Sequence, residues 1–149
     1  MNHLKEYHLI QTIYDVIEKK VPFLGICLGQ QLLFESSDES KGVTGLGILP
    51  GEIVSIPPAE GLKIPHMGWN SLDITPGAKL FKGIEKNPYV YFVHSYYLKA
   101  KRREDVAATT WYSTTIDASV ESGNVFACQF HPEKSGSTGL QILKNFTEL

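Results

Sequence analysis

The stretch PFLGICLGQQLLF, residues 22–34, decides how the chain is read. An apolar run is broken by one cysteine, Cys27, with Gly25 and Gly29 on either side. The half before it, VPFLGIC, has the length and apolar continuity of a short, fully buried strand. The half after it, GQQLLFESS, returns to helical character, with Leu32, Leu33 and Phe34 in its interior. Cys27 is therefore expected at a strand-to-helix turn. Small neighbours let such a turn bend and leave room for a ligand. Free N–H groups at the start of the helix favour a thiolate and can stabilise an oxyanion. On the turn alone, a nucleophile and a small buried thiol are equally good readings.

Working outward, NHLKEYHLIQTIYDVIEKK places Leu4, Tyr7, Ile10, Ile13, Tyr14 and Ile17 at helical spacing, and Pro22 ends the helix. Residues 36–88 are rich in glycine and proline, with short strand candidates EIVSI and GLKIPHMGW. YVYFVHSYYLKA and DVAATTWYS read as strands. TIDASVES and VFACQFHP form a hairpin about Gly123-Asn124. GSTGLQILKNFTEL closes the chain as a helix, with Leu140, Leu143 and Phe146 expected to face the core. The order of elements predicts an α/β fold with a mixed sheet. At 149 residues, a single domain over 1–149 is expected.

A net charge of −2 gives no reason to expect nucleic acid or an anionic membrane as partner. The two cysteines are far apart and lack metal-ligand spacing, which fits a reducing, cytoplasmic setting. Cys128, inside the apolar VFACQF, reads as core. A nucleophilic cysteine needs a base, and the base an orienting group. Of five histidines, His3 and His8 read as surface residues on the first helix. His131 stands past a strand end in FHPEK, with Glu133 two residues on. In an extended segment those two side chains point the same way, so the carboxylate can hold the imidazole.

GICLGQQ followed far downstream by HPE resembles the class I, or triad, glutamine amidotransferases. GLGILPG, IPHMGWN and YFVHSYY narrow the resemblance to the glutaminase subunits of imidazole glycerol phosphate synthases, over the chain from Leu4 onward. The resemblance implies a flavodoxin-like mixed sheet flanked by helices, with the family's N-terminal strands missing. It implies Cys27 as nucleophile, His131 as base and acid, Glu133 as orienting carboxylate, and the N–H of Leu28 as an oxyanion donor. Gly29, Gln31, His94, Ser95 and Tyr96 are implied to line the glutamine pocket. His66, Met67, Trp69 and Asn70 are implied to face a (β/α)₈ cyclase subunit that receives ammonia. Without the resemblance, PHMGWN reads as a packed loop with a core tryptophan. No metal or organic cofactor is implied.

The sequence departs from the family at its start. Met1 falls inside the helix that follows a Pro-Gly-x-Gly loop, which supplies a second oxyanion amide in the family. On that reading the 149-residue chain alone has little glutaminase activity. Two rivals stand beside the catalytic reading. One is a partner-binding relic or impaired fragment; the other is a different cysteine hydrolase on a related fold, such as a γ-glutamyl hydrolase.

Overall fold

The computed structural model describes residues 1–149. Two helices, α1 (Asn2–Glu6) and α2 (Leu9–Glu18), lead into β1 (Phe23–Ile26) and the short α3 (Leu28–Leu32). Five strands follow: β2 (Ser36–Ser37), β3 (Gly51–Ser55), β4 (His66–Ser71), β5 (Asp73–Ile74) and β6 (Tyr89–His94). Then come β7 (Tyr96–Ala100), β8 (Val106–Tyr112), β9 (Thr114–Ser122), β10 (Val125–Cys128) and the closing α4 (Gly136–Thr147). No helix is long and apolar enough to cross a membrane.

Eight strands form one mixed sheet in the order β1-β10-β9-β7-β3-β2, with β8 joining β9 and β5 joining β8. The β1–β10 pair is parallel and matches Ile26 to Cys128, so the two chains leave the sheet at the same end. The hairpin about Gly123-Asn124 sets β9 antiparallel to β10. A separate two-stranded ribbon pairs β4 with β6, His66 opposite His94 and Trp69 opposite Tyr91.

The side chains of β10 divide between two cores by the period of two that a pleated strand imposes. Phe126 and Cys128 enter one core with Phe92, Phe130 and Ile142, while Val125 and Ala127 enter the other with Leu33, Phe34 and Leu98. Leu4, Ile10, Ile13 and Ile17 pack on the second core, as their spacing predicts. Tyr7 is exposed, because the expected single helix is broken at His8, whose φ of 54° ends α1 and starts α2.

Three expectations are corrected. The helix after Cys27 stops at Leu32, and Leu33 and Phe34 are buried beyond its end. YVYFVHSYYLKA is two strands in two different sheets, split at Ser95. On α4 the buried face is Gly139, Ile142 and Asn145, and Leu140 is exposed. The small Gly139 lets α4 lie directly on the turn after β10, where a Cβ would stand 1.8 Å from the carbonyl oxygen of Pro132. Asn145 donates to the carbonyls of Leu80 and Lys82, so a polar residue joins the inward face, and Phe146 packs on the first core as expected.

Candidate active site

Cys27 occupies the turn between β1 and α3 with φ 50° and ψ −104°, a conformation non-glycine residues rarely adopt. Holding such a backbone costs about 1–3 kcal/mol and persists only where the surroundings enforce it. The enforcing contacts are visible. The N–H of Cys27 donates to the carbonyl of Cys128 at 2.7 Å, extending the parallel ladder past β1. Gly25 lies against the backbone of Gly29, where a Cβ would be 2.8 Å from the carbonyl carbon and oxygen. A Cβ on Gly29 would meet nothing within 4 Å. The two glycines beside the cysteine thus have different jobs: the first permits close approach of strand and helix, and the second leaves open space.

His131 leaves the same end of the sheet, three residues past β10. Its Nδ1 is 2.7 Å from Oε1 of Glu133. A carboxylate only accepts, so Nδ1 carries the proton and Nε2 presents a lone pair. That Nε2 is buried and has no hydrogen-bond partner. Pro132–Lys134 forms a 3₁₀ turn rather than the extended segment expected, and the turn brings the carboxylate back to the ring. The backbone of His131 is clamped to the ribbon. Its N–H donates to the carbonyl of Tyr91, the N–H of Tyr91 donates to Ser135 Oγ, and the Ser135 hydroxyl donates to the carbonyl of His131.

No hydrogen bond joins Cys27 to His131. The sulfur instead receives the side-chain amide of Gln129 at 3.7 Å. Burial pushes the Cys27 thiol up, and this outweighs the N–H of Leu28 and the amide of Gln129, which favour the thiolate. Burial therefore works against the thiolate that the helix start was expected to favour. Cys128 is fully buried and its thiol is pushed far higher, as suits a core residue.

Gln31 reaches the site from α3, with Nε2 donating to the carbonyl of Tyr96 at 3.2 Å and to Oε1 of Gln129 at 3.0 Å. His94 is buried, donating from Nδ1 to the same Tyr96 carbonyl at 2.9 Å and meeting His66 Nδ1 through Nε2 at 2.9 Å. His66 is buried too, stacked between Phe92 and Tyr112, with Asn70 on its other nitrogen at 3.4 Å. Each ring donates once and accepts once, which fits two neutral imidazoles. Desolvation lowers both to about 4, with each ring's remaining shift set partly by a neighbouring histidine.

The structure therefore brings Cys27, Leu28, Gly29, Gln31, Tyr96, His131 and Glu133 to one end of the sheet. It sets His94 behind Tyr96, with both ring nitrogens occupied. Of the four residues expected to face a partner, Met67 and Trp69 are exposed at 61% and 55%, Asn70 is half-buried, and His66 is inside. Trp69 is thus no core tryptophan. Tyr89, also exposed, lies on the same face of the ribbon, two residues along β6 from Tyr91. Sequence reasoning missed Gln129, Tyr91 and Ser135. Only the first left a signal, as a lone polar residue in the apolar run VFACQFHP. A concavity of about 120 Å³ opens beside Leu28 and Gln31. A larger one, about 900 Å³, lies away from these residues, between the loop of residues 73–87 and the end of α4. No three His, Cys, Asp or Glu side chains are grouped to hold a metal ion.

A thiol on a strained strand-to-helix turn, at the same sheet end as a carboxylate-oriented histidine, is the arrangement of a cysteine-dependent acyl-transfer enzyme. Comparison with known proteins narrows the class. The family "Glutamine amidotransferase class-I" matches residues 4–149. The imidazole glycerol phosphate synthase subunit HisH of Methanocaldococcus jannaschii is 48% identical over 141 residues, covering 95% of this chain and 70% of that protein. The HisH subunit of Caldanaerobacter subterraneus subsp. tengcongensis is 55% identical over 133 residues, covering 89% of this chain and 64% of that one. Among solved structures, a glutamine amidotransferase from Thermotoga maritima superposes with a TM-score of 0.64 at 21% identity, covering 95% of this chain and 54% of that one. PurLQS from Thermotoga maritima superposes at 0.69 and 22% identity, covering 94% and 67%. The chain belongs to the class I glutamine amidotransferase family, among the HisH subunits of imidazole glycerol phosphate synthase.

Proposed function

We propose that the chain supplies ammonia for histidine biosynthesis by hydrolysing the side-chain amide of glutamine, with Cys27, His131 and Glu133 as its triad. The observation that carries this reading is the buried, unpaired Nε2 of His131, a lone pair with no structural use, at the sheet end that bears Cys27. Nε2 takes the thiol proton as the sulfur attacks the amide carbon, and Glu133 stabilises the imidazolium. The N–H of Leu28 faces the oxyanion. The imidazolium then protonates the leaving nitrogen, the C–N bond breaks, and ammonia departs from a thioester. Water, losing its proton to the same nitrogen, cleaves the thioester to glutamate and thiol. Because burial opposes ionisation of the sulfur, the base is needed at the first step and not only at the last.

The side-chain oxygen of Gln31 suits the ammonium end of glutamine, and the Tyr96 carbonyl lies beside the same amide; Gly29, Ser95 and Tyr96 complete the proposed pocket. Ammonia released into bulk water at neutral pH is protonated and no longer nucleophilic, so a docked acceptor subunit is required. The exposed Met67 and Trp69, with Asn70, form the apolar face for a cyclase of (β/α)₈ architecture. Two free cysteines suit the reducing cytoplasm.

The test is glutamine hydrolysis with the cyclase present, together with labelling by a glutamine-like electrophile. Glu133→Gln presents an amide N–H to Nδ1 and drives the proton to Nε2, the wrong tautomer. In a serine protease the same change costs on the order of 10⁴ in turnover, and the half-exposed position here lowers that to about 10². Labelling confined to sites other than Cys27, or unaltered turnover in Glu133→Gln, removes the triad.

A further inference from the structure

The amide of Gln129 cannot be turned around. The Tyr96 carbonyl can only accept, and it takes His94 Nδ1–H at 2.9 Å and Gln31 Nε2–H at 3.2 Å. Gln31 therefore shows its amino group inward, and its second N–H reaches Gln129 at 3.0 Å. Gln129 must answer with its oxygen, which leaves its own amino group pointing at Cys27 Sγ. The backbone N–H of Gln129 is fixed to Ala118 of β9 at 2.9 Å, and its side chain is fully buried. An apolar side chain of the same length would fill that space without the cost of burying an amide. We propose that Gln129 is a positioning residue that holds the sulfur of Cys27 and favours its ionised form, with its polarity dictated from the Tyr96 carbonyl through Gln31. The inference deepens the reading of Cys27 as nucleophile and rests on it.

The charged and titratable groups about the sulfur are few. Glu133 and Lys134 lie on the turn after β10, with His131 before them, and Cys128 lies on β10 itself. Glu133 opposes ionisation and Lys134 favours it, so a donor aimed at the sulfur has a measurable share of the balance.

The experiment follows iodoacetamide alkylation of Cys27 against pH, resolved from Cys128 by mass spectrometry. Gln129→Met keeps length and removes the donor. Loss of one hydrogen bond to a charged group raises the midpoint of the profile by about one to two pH units, so alkylation at pH 7 slows about ten- to a hundredfold. Gln129→Glu slows it further, by setting a carboxylate against the sulfur. Gln31→Met frees the Gln129 amide to rotate and shifts the profile in the same direction as Gln129→Met. A folded Gln129→Met protein whose profile superposes on the parent overturns the proposal. If that variant does not fold, an unshifted Gln31→Met profile overturns it instead. Labelling of the parent by a glutamine-like electrophile separates the two failures. No label at Cys27 removes the nucleophile, and with it this inference. A labelled Cys27 with an unshifted Gln129→Met profile removes the positioning role alone.

Discussion

Replacing Gly139 by alanine should cost both stability and turnover, although Gly139 touches no substrate. The residue lies within α4, where alanine is better by about 1 kcal/mol on helix propensity alone. Packing reverses the sign. The new Cβ would stand 1.8 Å from the Pro132 carbonyl oxygen, 2.7 Å from its carbon and 2.9 Å from Ser135 Cβ. Two of those three contacts are backbone, so no side chain can swing aside. A normal contact requires α4 and the turn to part by more than 1 Å, roughly the upper end of the 1–3 kcal/mol that overpacking costs. The net is about 2 kcal/mol, or a fall in Tm of about 4–8 °C for a chain of this size. The displaced turn carries His131 and Glu133, and a misplacement of about 1 Å in a reacting group can lower turnover about 10²-fold. Thermal unfolding by circular dichroism reads the first effect, and glutamine hydrolysis with the cyclase present reads the second. A Gly139→Ala protein as stable as the parent, or more stable, would refute the close seating of α4 on the turn. A destabilised protein with full turnover would refute the link from that seating to the base.

Two further outcomes follow from the strain and the burial described above. Cys27→Gly should be more stable than Cys27→Ala by about 1 kcal/mol, because relief of the positive φ exceeds the added freedom of glycine in the unfolded chain. Equal melting temperatures would mean that the turn is not strained. Stability should also decline as pH falls from 6.5 toward 4, because His66 and His94 are both held down to about 4 in the fold. Above 6.5 both states keep these rings neutral. Below it only the unfolded chain takes up protons, so stability is lost as the pH drops, with a ceiling of about 3 kcal/mol per ring. Denaturant titrations at pH 4.5 and 7 measure the loss, and assigned His66 or His94 imidazole NMR signals titrating above pH 6 would contradict it.

Each residue of the proposed triad carries its own local mark in the sequence. Cys27 has glycines to either side, and His131 and Glu133 sit in one tripeptide past an apolar strand. The parallel pairing of β1 and β10, which gathers them, is a choice of partner that the two apolar runs do not specify. What was not legible depends on neighbours distant in sequence. The periodicity of α4 could not show that Leu140 faces solvent, because the inward stripe is defined by a glycine against Pro132 and an asparagine capping the carbonyls of Leu80 and Lys82. The break at Ser95 was hidden because both halves of YVYFVHSYYLKA have strand character, and only partner choice separates them. The helix start after Cys27 suggested an ionised thiol, but burial is a tertiary quantity and set the opposite sign.

His131 is threaded on the large sheet by its chain and tied to the small ribbon by its backbone hydrogen bonds to Tyr91 and, through Ser135, back again. Cys27 is tied only to the large sheet. The distance between the Cys27 sulfur and the His131 ring therefore depends on how the ribbon seats against the large sheet. Met67 and Trp69 project from that ribbon, Trp69 directly across from Tyr91.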